Sequence, residues 1–399
     1  MTPRIPPSVW AVLEALRIGR TSPPPLPDSW EEAFAFADRT QLTLSWRARL
    51  AADSIWHWLP ESVRRRLDQN RADNTERLRR IRELSTRIAS RFDAARVEYV
   101  GLKGLAHSAA FADDPCERVQ YDLDYFCPPE SASRAREVLL DMGYEPLTAM
   151  EEFPTDHLPV MVLKTGWRWR GNYFDPDHPP SIDLHFRFWD AETEQVRAPG
   201  VELFWQRRVG AELDLLDQLG YAALHALRHL LRGSLRPAHL YEIARFLENR
   251  RSDATFWSRW RQLHDAELRA LESIVFGLAH AQFGCASPEE LPTNARAWID
   301  RYAWSPVEGL FRPNKHELLL HWTMVGNRAA RRRILWRRLA PFRLPGPVDA
   351  MHVPDEQITL GLRLRRGVKY AAFVGSRVVF HARVLLPTLW ALARRRARP

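Results

Sequence analysis

Apolar residues along this chain keep two rhythms, and the change between them divides it. In the lead-in over about residues 29–95, Leu78, Ile81, Leu84, Ile88 and Phe92 recur every three or four positions, which puts one apolar stripe on a long helix. Arg77, Arg79, Arg80, Arg82 and Arg87 fill most of the remainder and are expected as a solvated face. A proline run, Ser22-Pro23-Pro24-Pro25-Leu26-Pro27, separates this helical lead-in from a short first helix.

After residue 96 the rhythm shortens to two. In Tyr121-Asp122-Leu123-Asp124-Tyr125-Phe126 an extended strand sends Asp122 and Asp124 to the same face. In residues 181–188, Ile182, Leu184, Phe186 and Phe188 are expected to face the core, with Asp183, His185 and Arg187 on the opposite, wet face. Between these runs, Ser131 or Ser133 caps a helix that buries Val138, Leu139 and Met142 and stops at Gly143, and residues 158–163 read as a further strand. Leu215, Leu219, Leu224, Leu227, Leu230 and Leu231 return the pattern to helices over residues 213–325. The pattern predicts an α+β fold: a small mixed β-sheet core with flanking helices, plus a largely helical remainder. The expected divisions are a helical segment 1–95, a core 96–190, a helical domain 191–327 and a basic segment 328–399.

Two carboxylates side by side repel unless a cation neutralises them, and hard cations such as Mg²⁺ suit oxygen ligands. Asp183 is placed to complete a three-carboxylate set with Asp122 and Asp124, although an Asp-x-Asp pair alone reads equally well as the polar edge of a sheet. Upstream, Gly104 follows an apolar run and a helix is expected to open near Leu105, an arrangement that aims backbone N–H groups at a phosphate. Lys103 would add a point charge there; the plainer reading is an ordinary strand-to-helix turn. Arg118 is either a phosphate ligand or the cation that holds the Asp pair, and His185 either contacts phosphate, holds Asp183 or packs. Asp113, Asp114, Asp175, Asp177 and Asp190 are rivals, the first four in proline-bearing turns. Trp167-Arg168-Trp169-Arg170 alternates aromatic and basic residues, as packing or as a base-stacking ribbon. His225 and His229 share a helical face, with a structural role favoured and His239 and Glu242 as expected hydrogen-bond partners.

Leu102-Lys103-Gly104, Arg118, Asp122-Leu123-Asp124, Gly143-Tyr144 and Ile182-Asp183-Leu184-His185 together resemble a family of uncharacterised bacterial nucleotidyltransferases of the polymerase-beta-like superfamily. The resemblance implies a nucleoside monophosphate moved from an NTP, ATP by default, to a hydroxyl acceptor, with loss of pyrophosphate. It implies two Mg²⁺ ions, or Mn²⁺ in their place, bridged by Asp122 and Asp124, with Asp183 on the catalytic metal. Lys103, Gly104, Arg118 and His185 would bind the nucleotide. The wider superfamily usually carries Gly-Ser where this chain has Lys103-Gly104. The alternative is an inactive nucleotide-binding scaffold, or one associated with membrane or nucleic acid, which requires Asp183 to lie out of reach of the Asp pair.

Composition fits a folded chain: 399 residues, 45% hydrophobic and 27% charged. Cys116, Cys127 and Cys285 have no metal-like spacing, and the first residues lack a secretory pattern, so a cytoplasmic location is expected, peripheral at the inner membrane surface if the tail binds it. Residues 328–399 hold seventeen Lys or Arg against three acids, a net +14 within a chain of +9, so the rest carries −5. An anionic membrane or a nucleic acid suits such a tail. A spanning helix is not expected, because Lys369, Arg377, His381 and Arg383 interrupt the apolar stretch and residues 384–393 contain Pro387.

Overall fold

The computed structural model describes residues 5–107, 111–147, 156–287, 291–339 and 351–396. Five short strands form one mixed sheet: β1 (Val100–Leu102), β2 (Asp122–Phe126), β3 (Tyr144–Pro146), β4 (Met161–Leu163) and β5 (Ser181–His185). Their order is β1-β2-β5-β4-β3. Only β2 and β5 run parallel, and their register sets Asp124 beside Asp183 and Asp122 beside Ser181. The remainder is helical, so the α+β expectation holds.

Period-two alternation splits the sheet into two faces. Leu123, Tyr125, Ile182 and Leu184 pack beneath it against α4 (Glu61–Ala94) and α5 (Pro129–Asp141), through Ile81, Leu84, Ile88, Phe92, Ala135 and Leu139. Gly143, at φ +87°, turns the chain out of α5 and into β3. The other face, with Asp122 and Asp124, looks toward α6 (Leu215–Arg232) and α7 (Pro237–Asn249). Asp214 starts α6 by accepting from the N–H of Leu216, and Gly233 ends it in the left-handed region. α8 (Ala254–Leu263) and α9 (Ala266–Phe283) pack behind these helices in a second apolar core, which also takes in Val100, Leu102, Phe126 and Phe188.

Four expectations need correction. α5 starts at Pro129, behind Pro128 and with no side-chain cap, so neither Ser131 nor Ser133 caps it. Strand β5 ends at His185, so Phe188 joins the second core, stacked on Phe126 at 4.0 Å, instead of the core beneath the sheet. His185 is 1% exposed and not on a wet face. Arg77 is buried as well: its Nη1 donates to the carbonyl of Tyr173 at 2.9 Å and its guanidinium lies 4.3 Å from the Tyr121 ring centre. That bond lets α4 hold the loop before β5, a role a solvated arginine could not have.

Candidate active site

Lys103, Gly104, Arg118, Asp122, Asp124, Asp183 and His185 all line one cavity of about 360 Å³ between the sheet and helices α6 and α7. The sheet supplies the acidic floor. Asp124, Asp183 and His185 each offer a ligand atom within 4.8 Å of the others, so this cluster could hold a metal ion; Asp122 lines the same cavity. The scaffold alternative required Asp183 to stand apart, whereas the parallel register places it next to Asp124.

Charge around the floor is arranged unevenly. Lys103 Nζ lies 2.8 Å from Asp124 Oδ1, and His185 Nε2 lies 3.1 Å from the same oxygen. Burial pushes the Asp124 carboxyl up, but Lys103 and His185 outweigh it and hold the group well below the usual carboxylate range. Among the described residues Asp183 has no such contact. Burial, then Asp124 and Asp122, push it up to about 7, and its Oδ1 is buried without a hydrogen bond. Asp122 is likewise raised by burial and by Asp124, against Lys103 and Arg118.

His185 packs within the fold and is hydrogen-bonded there, one of the three roles expected of it. It contacts Asp124, not Asp183, and its Nδ1 faces Asp156 Oδ2 at 3.3 Å. Asp156 is in turn ion-paired with Arg228 of α6. This relay fixes the imidazole behind Asp124, and the two carboxylates raise its pKa despite burial. Sequence reading missed Asp156 and Arg228: Asp156 stands in no alternating pattern, and Arg228 is one arginine among many.

At Gly104 the chain makes a three-residue 3-10 turn, Gly104–Ala106, where a helix was expected to open. Gly104 has φ +57°, and a Cβ there would meet Gln120 Nε2 at 2.1 Å. Gln120 Nε2 also donates to the carbonyl of Asp122 at 2.7 Å, so glycine at 104 lets this side chain brace the acidic strand. Lys103 itself has φ +43° and ψ −169°, a strained conformation for a side-chain-bearing residue that costs on the order of 1–3 kcal/mol. Its contacts with Asp124 and with His225 Nε2, at 3.2 Å, hold it there.

Arg118 pairs with Glu242 rather than the Asp pair, Nε to Oε1 at 2.8 Å, while its buried Nη1 makes no hydrogen bond among the described residues. Asn74 of α4 fixes the loop from below by donating to the carbonyls of Cys116 and Arg118, each at 3.0 Å. The opposite wall is basic, with Arg228, Arg232 and Arg236 beside His225, His229 and His239. The expected partnership of these histidines with Glu242 gives way to a cluster of their own: His225 and His229 share a contact of 3.1 Å, and the His239 ring lies 5.1 and 5.2 Å from theirs. Burial first, then the neighbouring histidines, Lys103 and arginines, lowers all three, His239 to about 3, so they stand neutral. Outside the cavity, Trp167 Nε1 donates to Asp175 at 2.9 Å and its ring packs on His178, which commits the aromatic-basic ribbon to loop packing at that residue.

A family model described as an uncharacterised nucleotidyltransferase matches residues 27–284, from the end of the proline run through α9 and therefore through every cavity residue named above. No curated protein matches the chain, and no solved structure does. An acidic floor able to hold a metal ion, faced by a basic wall, is a setting in which a nucleotide's phosphates are neutralised from both sides. By that match over most of its length, the chain belongs to the uncharacterised nucleotidyltransferase family and is a transferase of phosphorus-containing groups.

Proposed function

We propose that the chain moves a nucleoside monophosphate from an NTP, ATP by default, to a hydroxyl acceptor in the cytoplasm, as a member of the polymerase-beta-like superfamily. The observation that carries the proposal is the parallel register that puts Asp183 beside Asp124, two residues after Asp122, opposite a basic wall. The acceptor oxygen attacks the α-phosphorus, the bond from that phosphorus to the bridging oxygen breaks, and pyrophosphate leaves. The hydroxyl proton goes to Asp183, which stands beside Asp124 on the cavity floor.

The residues present fit a hard divalent cation, because the orphaned Oδ1 of Asp183 and the Asp124 carboxylate converge within ligand distance. Asp122, Asp124 and Asp183 would hold two Mg²⁺ ions, or Mn²⁺, and such ions stabilise the attacking and leaving oxygens when bound. Arg118, through its free Nη1, and Arg236 would receive the phosphates. Gly104 braces β2 through Gln120, and His185 sets the orientation of Asp124.

Incubation with each α-labelled NTP, Mg²⁺ and acceptor fractions from a cell extract tests this. Wild type should pass label to an acceptor and release pyrophosphate, while the Asp122→Asn/Asp124→Asn variant should do neither. Absence of metal-dependent binding of all four NTPs by calorimetry would overturn the reading. Metal-dependent binding without transfer to any acceptor would favour the inactive nucleotide-binding scaffold, for which the Lys103–Asp124 ion pair is the supporting observation.

A further inference from the structure

The last helix, α13 (Leu360–Arg396), carries chemistry the nucleotidyl site does not use. It meets the body of the protein along one stripe, at Val384, Thr388 and Leu392, all buried. Lys315, which precedes α11 (His316–Met324) in the chain once α10 (Thr293–Tyr302) is counted, adds a contact of 3.1 Å from its Nζ to His381 Nδ1. On the opposite side Leu364, Val368, Ala371, Val379, Leu386 and Leu389 follow one another at helical spacing, and no charged residue falls on the strip they form. Leu364 is 63% exposed, Val368 71% and Leu386 74%. The strip runs about 38 Å along the helix, at 1.5 Å per residue.

The cations that argued against a spanning segment lie off this strip. Lys369 and Arg383 are beside it, Arg363 and Arg365 near its start, and Arg394 past its end. The side chains of Arg395 and Arg396 lie outside the described residues. A strip of apolar residues edged by Lys and Arg suits the boundary between acyl chains and anionic headgroups, where basic side chains reach outward as the apolar face enters. By length and composition the helix could also cross a bilayer. Its buried stripe against the body favours lying in the plane instead, since a crossing helix would have to leave Val384, Thr388 and Leu392 behind. Beside it opens a cavity of about 830 Å³ whose lining joins Leu319, Val384 and Ala391 to charged residues of both signs, Arg301 and Arg312 with Asp300 and Glu308. The exposed apolar strip itself matches a bilayer and not bare nucleic acid.

We propose that α13 docks this enzyme onto an anionic phospholipid bilayer, its apolar strip in the acyl boundary and its flanking arginines among the headgroups. The docking stands apart from the nucleotidyl reaction, and its test reads sedimentation, not turnover. The full chain is spun with phosphatidylcholine vesicles, with and without phosphatidylglycerol, over a series of salt concentrations. Binding should require phosphatidylglycerol and weaken as salt rises. Arg363→Gln/Arg365→Gln should bind about thirtyfold more weakly, and Leu386→Asp, at an exposed site, should lose binding while its circular dichroism matches wild type. Equal sedimentation with and without phosphatidylglycerol, or unchanged binding by Leu386→Asp, would overturn the proposal. So would a dimeric mass by light scattering that Leu386→Asp halves, which assigns the strip to a second copy. Protein that stays with the vesicles through alkaline carbonate would mean a crossing helix and equally overturn the in-plane reading.

Discussion

Lys103 Nζ and Asp124 Oδ1 lie 2.8 Å apart, so the chain itself brings a positive charge to the carboxylate cluster. Lys103 keeps its proton because Asp124 and Asp122 outweigh the burial that would strip it. An ammonium in contact with a metal-ligand oxygen competes with a metal ion for that oxygen. Lys103→Met should therefore lose thermal stability in chelator at neutral pH, by about 3–5 kcal/mol for a buried charge left without its partner. It should recover much of that loss when Mn²⁺ is added, and bind Mn²⁺ more tightly than wild type. Differential scanning fluorimetry with and without Mn²⁺ reads both effects; equal stability of variant and wild type in chelator would count against the competition.

Asp124 and Asp183 should separate in stability although both variants lose activity. Asp183 is raised to about 7 in the fold, above its unfolded value. Its contribution is therefore fully present only below the unfolded pKa, and stability falls as pH rises from about 4 through about 7. Asp183→Asn removes the charge and should raise the melting temperature at pH 8 in chelator. Asp124 is shifted the other way, so its contribution is present above the unfolded pKa and lost in acid. Asp124→Asn should lower the melting temperature at the same pH, because Lys103 and His185 lose their counter-charge. Both should cut turnover by at least about 10²–10³-fold, the scale of removing a group that stabilises developing charge.

Gly104 admits a direct test of the brace. Ala at 104 must take φ near +57° and place its Cβ within 2.1 Å of the Gln120 amide. Gly104→Ala should cost about 1–3 kcal/mol in urea unfolding. Gly104→Ala/Gln120→Ala should regain part of this by removing the clash, but keep the left-handed strain of about 1 kcal/mol and lose the bond to the Asp122 carbonyl. A double variant no more stable than the single one would show that Gln120 is not what the glycine accommodates.

What the sequence made legible was whatever depends on local period. The alternation around Leu123 and Ile182 predicts which face of each strand carries an aspartate, and the α4 stripe from Ile81 to Phe92 lies buried beneath the sheet as its spacing implies. What it left hidden depends on partners distant in the chain. Arg77 looks like its solvated neighbours until Tyr173, ninety-six residues on, is brought against it. For His185 the sequence leaves phosphate contact, a hold on Asp183 and packing all open, because the relay through Asp156 to Arg228 exists only in three dimensions. The strip on α13 escaped for another reason: its cations interrupt the sequence but not the helical face.

His264 sets the alkaline limit of the helical part. It is fully buried, with Nε2 3.0 Å from Asp217 Oδ1 and Nδ1 2.8 Å from Glu272 Oε1, where α6, α8 and α9 meet. Arg207 also pairs with Asp217, and Trp260 donates to Glu272 at 2.7 Å. Burial alone would lower the imidazole, but Glu272 and Asp217 prevail and push it up to about 9. The folded pKa thus exceeds the unfolded value of about 6.5. Its contribution is full below about pH 6.5 and is lost as pH climbs through 9, a change of about 3 kcal/mol. Gly220 makes room for the cluster: a Cβ there would meet Glu272 Oε1 at 2.6 Å and His264 Cε1 at 2.9 Å. Chemical unfolding of wild type between pH 6 and 10 should show this decline, and His264→Gln, less stable at pH 6, should show a flatter profile over the same range. Parallel curves for the two proteins would remove His264 as the cause and leave the neighbouring ion pairs to be tested in its place.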